Sequence, residues 1–177
     1  NRSARQLAGH NSGTAAVQFS SDGMTLVSVG DDGAIRVWDG VSGELRSEWP
    51  SSGFHRRMAV SHDGKSVAGM TEHEQVKIID LSDGHVISER SPKSAQVISI
   101  AWNHDDDGIF LGMRAGTIEL WPLESDEPQK ILVAGTTRVT WLKSTDRHAV
   151  ASVTVSGEFR ITRTTDEALL RDDTLFE

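Results

Sequence analysis

Apolar and polar residues alternate along this chain in runs of five or six, and glycine-bearing turns separate the runs. Gly30-Asp31-Asp32-Gly33 is followed by Ala34-Ile35-Arg36-Val37-Trp38, and similar Asp-Gly, Ser-Gly and Ala-Gly turns punctuate the rest. A period of two puts successive side chains on opposite faces of a strand, and such turns join antiparallel neighbours as hairpins. No segment of comparable length has helical periodicity; the best, 166–171, spans only about a turn and a half. The pattern predicts an all-β fold.

The runs also repeat at long range. Phe19, Val60, Trp102 and Trp141 occupy matching places at intervals of 41, 42 and 39 residues. Trp38, Ile79, Trp121 and Thr162 form a second ladder at intervals of 41, 42 and 41. Two ladders sharing one period near 41 match the length of a four-stranded propeller blade.

In the first repeat, Leu7-Ala8-Gly9-His10, Val17-Gln18-Phe19-Ser20-Ser21-Asp22-Gly23, Leu26-Val27-Ser28 and Ile35-Arg36-Val37-Trp38-Asp39 resemble the WD-repeat (WD40) consensus. The resemblance covers residues 5–163 and weakens from the first repeat to the fourth. It implies a β-propeller segment of about four four-stranded antiparallel blades, part of a larger, seven-bladed or similar ring. The repeats fall at about 8–49, 50–90, 91–131 and 132–171, with 1–7 as the outer strand of a preceding or closing blade. Within repeat one, strands a to d are expected near 14–20, 24–29, 34–39 and 44–49.

The same resemblance assigns His10, Ser28, Asp32 and Trp38 to the family's structural tetrad, a hydrogen-bond chain from indole to hydroxyl to imidazole to carboxylate. An unpartnered buried polar group costs about 1–3 kcal/mol, so a fully satisfied chain can pin loops to strands without penalty. His, Ser and Asp also suggest a hydrolase triad. Ser28, however, lies on a strand without a Gly-x-Ser-x-Gly elbow, and no oxyanion hole is indicated beside it. The other repeats depart from the tetrad. Repeat two has Ser51, Gly69, His73 and Ile79 at the four places, repeat three keeps Trp121, and repeat four keeps Ser152 but has Ser156 and Thr162 for Asp and Trp.

His104-Asp105-Asp106-Asp107-Gly108 reads as an a–b turn two residues longer than its counterpart in repeat one. It lacks the Asp-x-Asp-x-Asp-Gly spacing of a calcium loop and is expected to be a solvated acidic turn. Seven histidines show no convincing ligand pair on one element, so no metal site is predicted. Gly112-Met113-Arg114-Ala115-Gly116 has no Gly-Lys-Ser/Thr after it and reads as a b–c turn rather than a phosphate cradle. His55, Arg56 and Arg57 lie on or just before strand a of repeat two, where adjacent arginines can grip an acidic peptide or phosphate. Trp49, Trp102, Trp121 and Trp141 fall at strand positions and are expected in the core.

Composition narrows the function. Acidic residues outnumber basic ones 26 to 18, for a net charge of −8, which disfavours nucleic-acid and anionic-membrane partners. The chain has no cysteine, which excludes disulfides, thiolate metal ligands and thiol nucleophiles. No apolar run approaches the length of a spanning helix, no signal-peptide core opens the chain, and the expected location is cytoplasmic.

The resemblance implies a non-catalytic protein-interaction scaffold without a cofactor, binding a protein or peptide. The alternative is a regulatory or sensor propeller of a larger bacterial multidomain kinase or protease. At roughly 51° per blade of a seven-bladed ring, four blades span about 205°. Further blades from the same or another chain are therefore expected, and the tail residues Leu175 and Phe176 are placed to cover an apolar edge.

Overall fold

A computed structural model describes residues 6–50, 53–92, 96–125 and 130–164. The described chain is all strand and turn, as its alternating pattern predicts, and its strands form four antiparallel sheets. Blade 1 comprises β1 (Thr14–Phe19), β2 (Thr25–Gly30), β3 (Ala34–Asp39) and β4 (Leu45–Pro50). Blade 2 comprises β5 (Phe54–Val60), β6 (Ser66–Thr71), β7 (Val76–Asp80) and β8 (Val86–Arg90). Blade 3 comprises β9 (Val97–Trp102), β10 (Gly108–Met113), β11 (Thr117–Pro122) and β12 (Lys130–Val133). Blade 4 has three described strands, β13 (Val139–Asp146), β14 (Ala149–Thr154) and β15 (Phe159–Arg163). In every sheet, strands adjacent in sequence are adjacent in space. Positions 166–171 and the tail lie outside the described residues, as do most of positions 1–7.

Two compact units divide the chain, Asn1–Ser91 and Pro92–Glu177. Each holds two blades, and the register gives each blade two distinct faces. In blade 1, the pairs Val17↔Ser28↔Arg36 and Phe19↔Leu26↔Trp38↔Leu45 lie on what we call the anchor face. Gln18, Val27, Val29, Ile35, Val37 and Trp49 lie on the opposite face. Within the first unit, Val27, Val29, Ile35 and Val37 pack against Phe54, Val60, Val67, Ile79 and Leu81 of blade 2, with Trp49 and Met58 at the margin. Within the second unit, Ala101, Phe110, Ile118 and Leu132 of blade 3 pack against Val139, Leu142 and Val150 of blade 4. In both units, then, the opposite face of one blade seats on the anchor face of the next. Burial of each large side chain there is worth about 1.5–3 kcal/mol, so these seams supply the main cohesion within each unit. Two polar bridges reinforce them: Val60 N–H donates to Gln18 Oε1 at 3.3 Å, and Ser99 Oγ donates to the Val139 carbonyl at 2.8 Å.

Two sequence-based expectations are corrected by the register. Ser152 pairs with Leu142, and Val150 pairs with both Ser144 and Thr162. Ser144, not Trp141, therefore occupies the place of Phe19 in blade 4. The three-residue offset is odd, so it exchanges the faces, and Trp141 lies on the exposed opposite face rather than in the core. The cause is a shortened a–b turn, in which Arg147-His148 alone joins paired Asp146 and Ala149. Trp102 and Trp121 are buried, and Trp49 is half-buried against the first seam.

The a–b turn of blade 3 is not extended. Asn103 N–H donates to the Gly108 carbonyl just as Ser20 N–H donates to that of Thr25 and Ser61 N–H to that of Ser66. Asp106 stands at the place of Gly23 and Gly64, with φ of 57° against their 73° and 70°. Aspartate tolerates this left-handed conformation better than most residues. The acidic run thus holds a turn of ordinary length without the glycine that marks it elsewhere.

Candidate functional site

Two turns and two strands of blade 1 bring His10, Ser28, Asp32 and Trp38 together. Ser28 on β2 and Trp38 on β3 share the anchor face, His10 comes from the segment before β1, and Asp32 comes from the turn between β2 and β3. Trp38 Nε1 donates to Ser28 Oγ at 2.9 Å. Ser28 Oγ and His10 Nε2 are 2.8 Å apart, and His10 Nδ1 and Asp32 Oδ1 are 2.9 Å apart. One proton arrangement satisfies all three contacts: indole N–H to hydroxyl oxygen, hydroxyl to Nε2, and Nδ1–H to carboxylate. The second carboxylate oxygen of Asp32 accepts from Asn11 N–H at 2.9 Å and from Arg36 Nη1 at 2.9 Å. These donors, Asn11 first and then His10 and Arg36, hold the Asp32 carboxyl well below the usual range and keep it ionised. Gly9 lies so close to the Trp38 ring that an added Cβ would stand 2.6 Å from it, so a glycine is needed where the loop crosses the indole.

Arg36 lies outside the tetrad that the resemblance assigns, yet it is integral to the cluster. Its buried guanidinium reaches Asp32 on one side and Glu48 on β4 on the other, the latter through Nε at 2.9 Å. It also closely approaches His10 Nδ1. The signal was present in the chain: Arg36 and Glu48 recur one period later as Lys77 and Glu89, a cross-strand pair at 3.3 Å. Asp39, next to the tryptophan, closes the β3–β4 turn by accepting from Ser42 N–H at 2.6 Å and Val41 N–H at 2.9 Å. Those bonds and Arg46 keep its pKa far below the usual range.

The other blades fill the same volume differently. In blade 2, Gly69 stands where blade 1 has Ser28, and an added Cβ would meet the Phe54 ring at 2.5 Å. The aromatic ring occupies the space that polar groups take in blade 1. In blade 3, Leu111 replaces the serine, and Trp121 Nε1 donates instead to Glu119 Oε2 at 2.9 Å on its own strand. In blade 4, Ser152 is buried, and its hydroxyl has no hydrogen-bond partner among the described residues. Thr162, at the tryptophan position, pairs with Val150 and is too short to supply the missing donor.

The remaining candidate residues are dispersed. The backbone of 55–57 runs in β5, Arg57 is exposed, and the side chains of His55 and Arg56 lie outside the described residues, as does Ser51. Asp105 pairs with Arg147 at 3.1 Å, and Asp107 accepts from the Asn103 amide at 2.5 Å, so both carboxylates have partners. Asp80, Asp83 and His85 each bring a ligand-type atom to within 4.8 Å of the others, a grouping the scattered histidines did not suggest. Their polar atoms shape the β7–β8 turn. Asp80 accepts from Ser82 N–H at 2.7 Å, and Asp83 accepts from His85 N–H at 3.0 Å and lies 2.6 Å from its ring. The Asp83 carboxylate raises the His85 pKa, as expected of an exposed ion pair.

The profile of the WD domain, G-beta repeat, matches residues 1–39, the stretch that holds the whole His10–Ser28–Asp32–Trp38 chain. Small ribosomal subunit protein RACK1y of Oryza sativa subsp. japonica is 29% identical over 123 residues, 66% of this chain and 36% of that protein. Autophagy-related protein 16 of Arabidopsis thaliana is 36% identical over 122 residues, 68% of this chain and 24% of that protein. This chain belongs to the WD-repeat family. THO complex subunit 3 of Arabidopsis thaliana is 27% identical over 132 residues, covering 74% of the WD-repeat chain and 42% of its own length. The chain thus spans well under half the length of these relatives. Among solved structures, the RRP9 WD40 repeats and U3-55K each superpose with a TM-score of 0.73 at 18% identity, over 89% of this chain and 50% of theirs. That likeness shows the propeller-blade fold.

Proposed function

We propose that this WD-repeat chain is a non-catalytic scaffold whose blades present loops and turns to a protein or peptide partner. The observation that carries this reading is the closed hydrogen bonding of blade 1. A catalytic serine needs a free hydroxyl beside a base and a set of oxyanion donors. Here Ser28 Oγ accepts from Trp38 and is held against His10, while His10 is turned to an Asp32 that Arg36 and Asn11 also bind. The constellation that most resembles a triad is engaged in holding a loop to a sheet. The names of two relatives, a ribosomal subunit protein and a subunit of the THO complex, describe parts of larger assemblies, which supports a partner-binding role. The net charge of −8 favours protein partners over phosphate backbones or anionic lipid surfaces.

Two measurements test the reading. A fluorophosphonate reporter, which reacts with activated serines, is expected to leave Ser28 unmodified. Crosslinking followed by titration with the purified crosslinked protein is expected to give a saturable complex. Covalent labelling of Ser28, or failure of every purified candidate to form a saturable complex, refutes it.

A further inference from the structure

Blade 3 departs from blades 1 and 2 where its a–b turn meets the turn between its third and fourth strands. In all three blades one backbone bond ties these turns together: Gly40 N–H donates to the Met24 carbonyl, Leu81 N–H to that of Lys65 and Leu123 N–H to that of Asp107, each at 2.8 Å. The bond fixes which positions correspond. Gly23, Met24 and Val41 of blade 1, and Gly64, Lys65 and Ser82 of blade 2, become Asp106, Asp107 and Glu124 in blade 3. Three carboxylates thus stand where the other two blades have none, and the two turns enclose a cavity of about 450 Å³. Leu120, Pro122 and Leu123, each half-buried, form its apolar wall.

The charges around this cavity are of one sign. Asp106 is half-buried, Asp107 and Glu124 are exposed, and no lysine or arginine is among the described residues that line it. Nearby Arg147 is paired with Asp105, which is not part of the lining. Asp107 accepts from a neutral donor, the Asn103 amide at 2.5 Å, which holds the carboxylate in place without cancelling its charge. An apolar wall beside carboxylates suits a long cationic side chain, whose methylene stem lies along apolar surface while its charged head keeps polar company. Guanidinium matches better than ammonium, because it is more weakly hydrated and its five N–H donors can reach several carboxylates at once. We propose that this cavity receives an arginine side chain from a basic segment of the protein partner. The proposal rests on the partner-binding role and assigns it a surface and a chemistry.

The test follows the amide signals of the isotopically labelled chain by nuclear magnetic resonance, with two capped peptides as probes. One is Gly-Arg-Gly-Arg-Gly, and the other carries citrulline, a neutral isostere, in place of each arginine. Saturable shifts at Asp106, Asp107 and Glu124 are expected with the arginine peptide and not with the citrulline peptide. Asp106→Asn/Glu124→Gln is expected to weaken binding by about threefold or more, the modest scale of exposed ion pairs. Asparagine at 106 tolerates the left-handed backbone there, so the turn is retained. Glu44→Gln/Glu72→Gln removes the same charge from exposed turns of the other unit and is expected to leave the affinity unchanged. Absence of saturable binding, equal shifts with both peptides, or shifts confined to other surfaces overturns the proposal. So does an unaltered affinity in folded Asp106→Asn/Glu124→Gln, or an equal loss in Glu44→Gln/Glu72→Gln. None of these results touches the scaffold role, which the crosslinking titration tests separately.

Discussion

Blades 1 and 4 place a serine at the same strand position in opposite circumstances, and this makes a paired substitution informative. In Ser28→Ala the Trp38 indole N–H loses its acceptor, and His10 Nε2 loses its donor. The Trp38 and His10 side chains are both buried. At about 1–3 kcal/mol for each of the two buried groups left unpartnered, the loss is roughly 2–6 kcal/mol. Ser152→Ala removes a buried hydroxyl that has no partner, so nothing is orphaned and a desolvated polar group is replaced by a methyl. The expected change is between zero and about 2 kcal/mol of stabilisation. For a chain of this length about 1 kcal/mol moves Tm by roughly 2–4 °C. Differential scanning calorimetry should show a fall of about 5 °C or more for Ser28→Ala and no fall for Ser152→Ala. Resolving the endotherm into two transitions would assign each change to its own unit. Equal losses for the two variants, or a Ser28→Ala transition within a degree of the unsubstituted chain, would refute the hydrogen-bond reading of both sites.

Arg36→Met retains the apolar stem but strips the guanidinium from Asp32 and Glu48, and is expected to cost about 1–3 kcal/mol in urea unfolding, less than a fully buried pair because Glu48 reaches solvent. In a double-mutant cycle with Glu48→Gln, a coupling near zero would show that the β3–β4 bridge contributes nothing. The Asp32 pKa is depressed in the folded chain, so its contribution is fully present above the unfolded value near 4 and is lost as pH falls through the folded value. Tm should therefore decline on acidification below about pH 4, and Asp32→Asn should start lower at neutral pH and decline less steeply; an unchanged slope would count against the ionised carboxylate. Gly69→Ala forces a methyl into the Phe54 ring and is expected to destabilise the first unit by about 1–3 kcal/mol, with partial recovery in Gly69→Ala/Phe54→Leu. No recovery would mean that the ring is not what the methyl meets.

The blade repeat was legible because its two ladders depend on large apolar residues at strand positions, where a period of two and turns of fixed length leave little freedom. Repeat four departs from the ladder because the turn before β14 is shorter, and the nearby Trp141 lies on the other face of its strand. Aromatic identity carries no information about which face a residue takes, whereas the pairing of Val150 with Ser144 does. The acidic run of blade 3 misled for a related reason. Gly108 is the glycine that ends the run, yet Asp106 adopts the left-handed conformation and Gly108 begins β10. The role of Arg36 is hard to read from the sequence because a cation between two strand apolar residues resembles a solvent-facing one. Only its recurrence as Lys77, each opposite a glutamate on the next strand, distinguishes it.

The loss of the polar chain from blades 2 and 4 follows from where their anchor faces lie. Within its unit, each of those faces is covered by the preceding blade, so apolar packing is available to hold the loops. Phe54 over Gly69 uses that opportunity in blade 2, and in blade 4 the burial of Leu142 and Val150 is sufficient to tolerate a lone hydroxyl at Ser152. In blade 1 the loop is held instead by polar contacts. Hydrogen bonds among His10, Ser28, Asp32, Trp38 and Arg36 need no neighbouring blade to form, because every donor and acceptor comes from blade 1 or from the segment leading into it. Blade 1, which retains all four tetrad residues, thus ties its leading loop to its strands through contacts internal to the blade, whereas blades 2 and 4 hold theirs by packing against a neighbour.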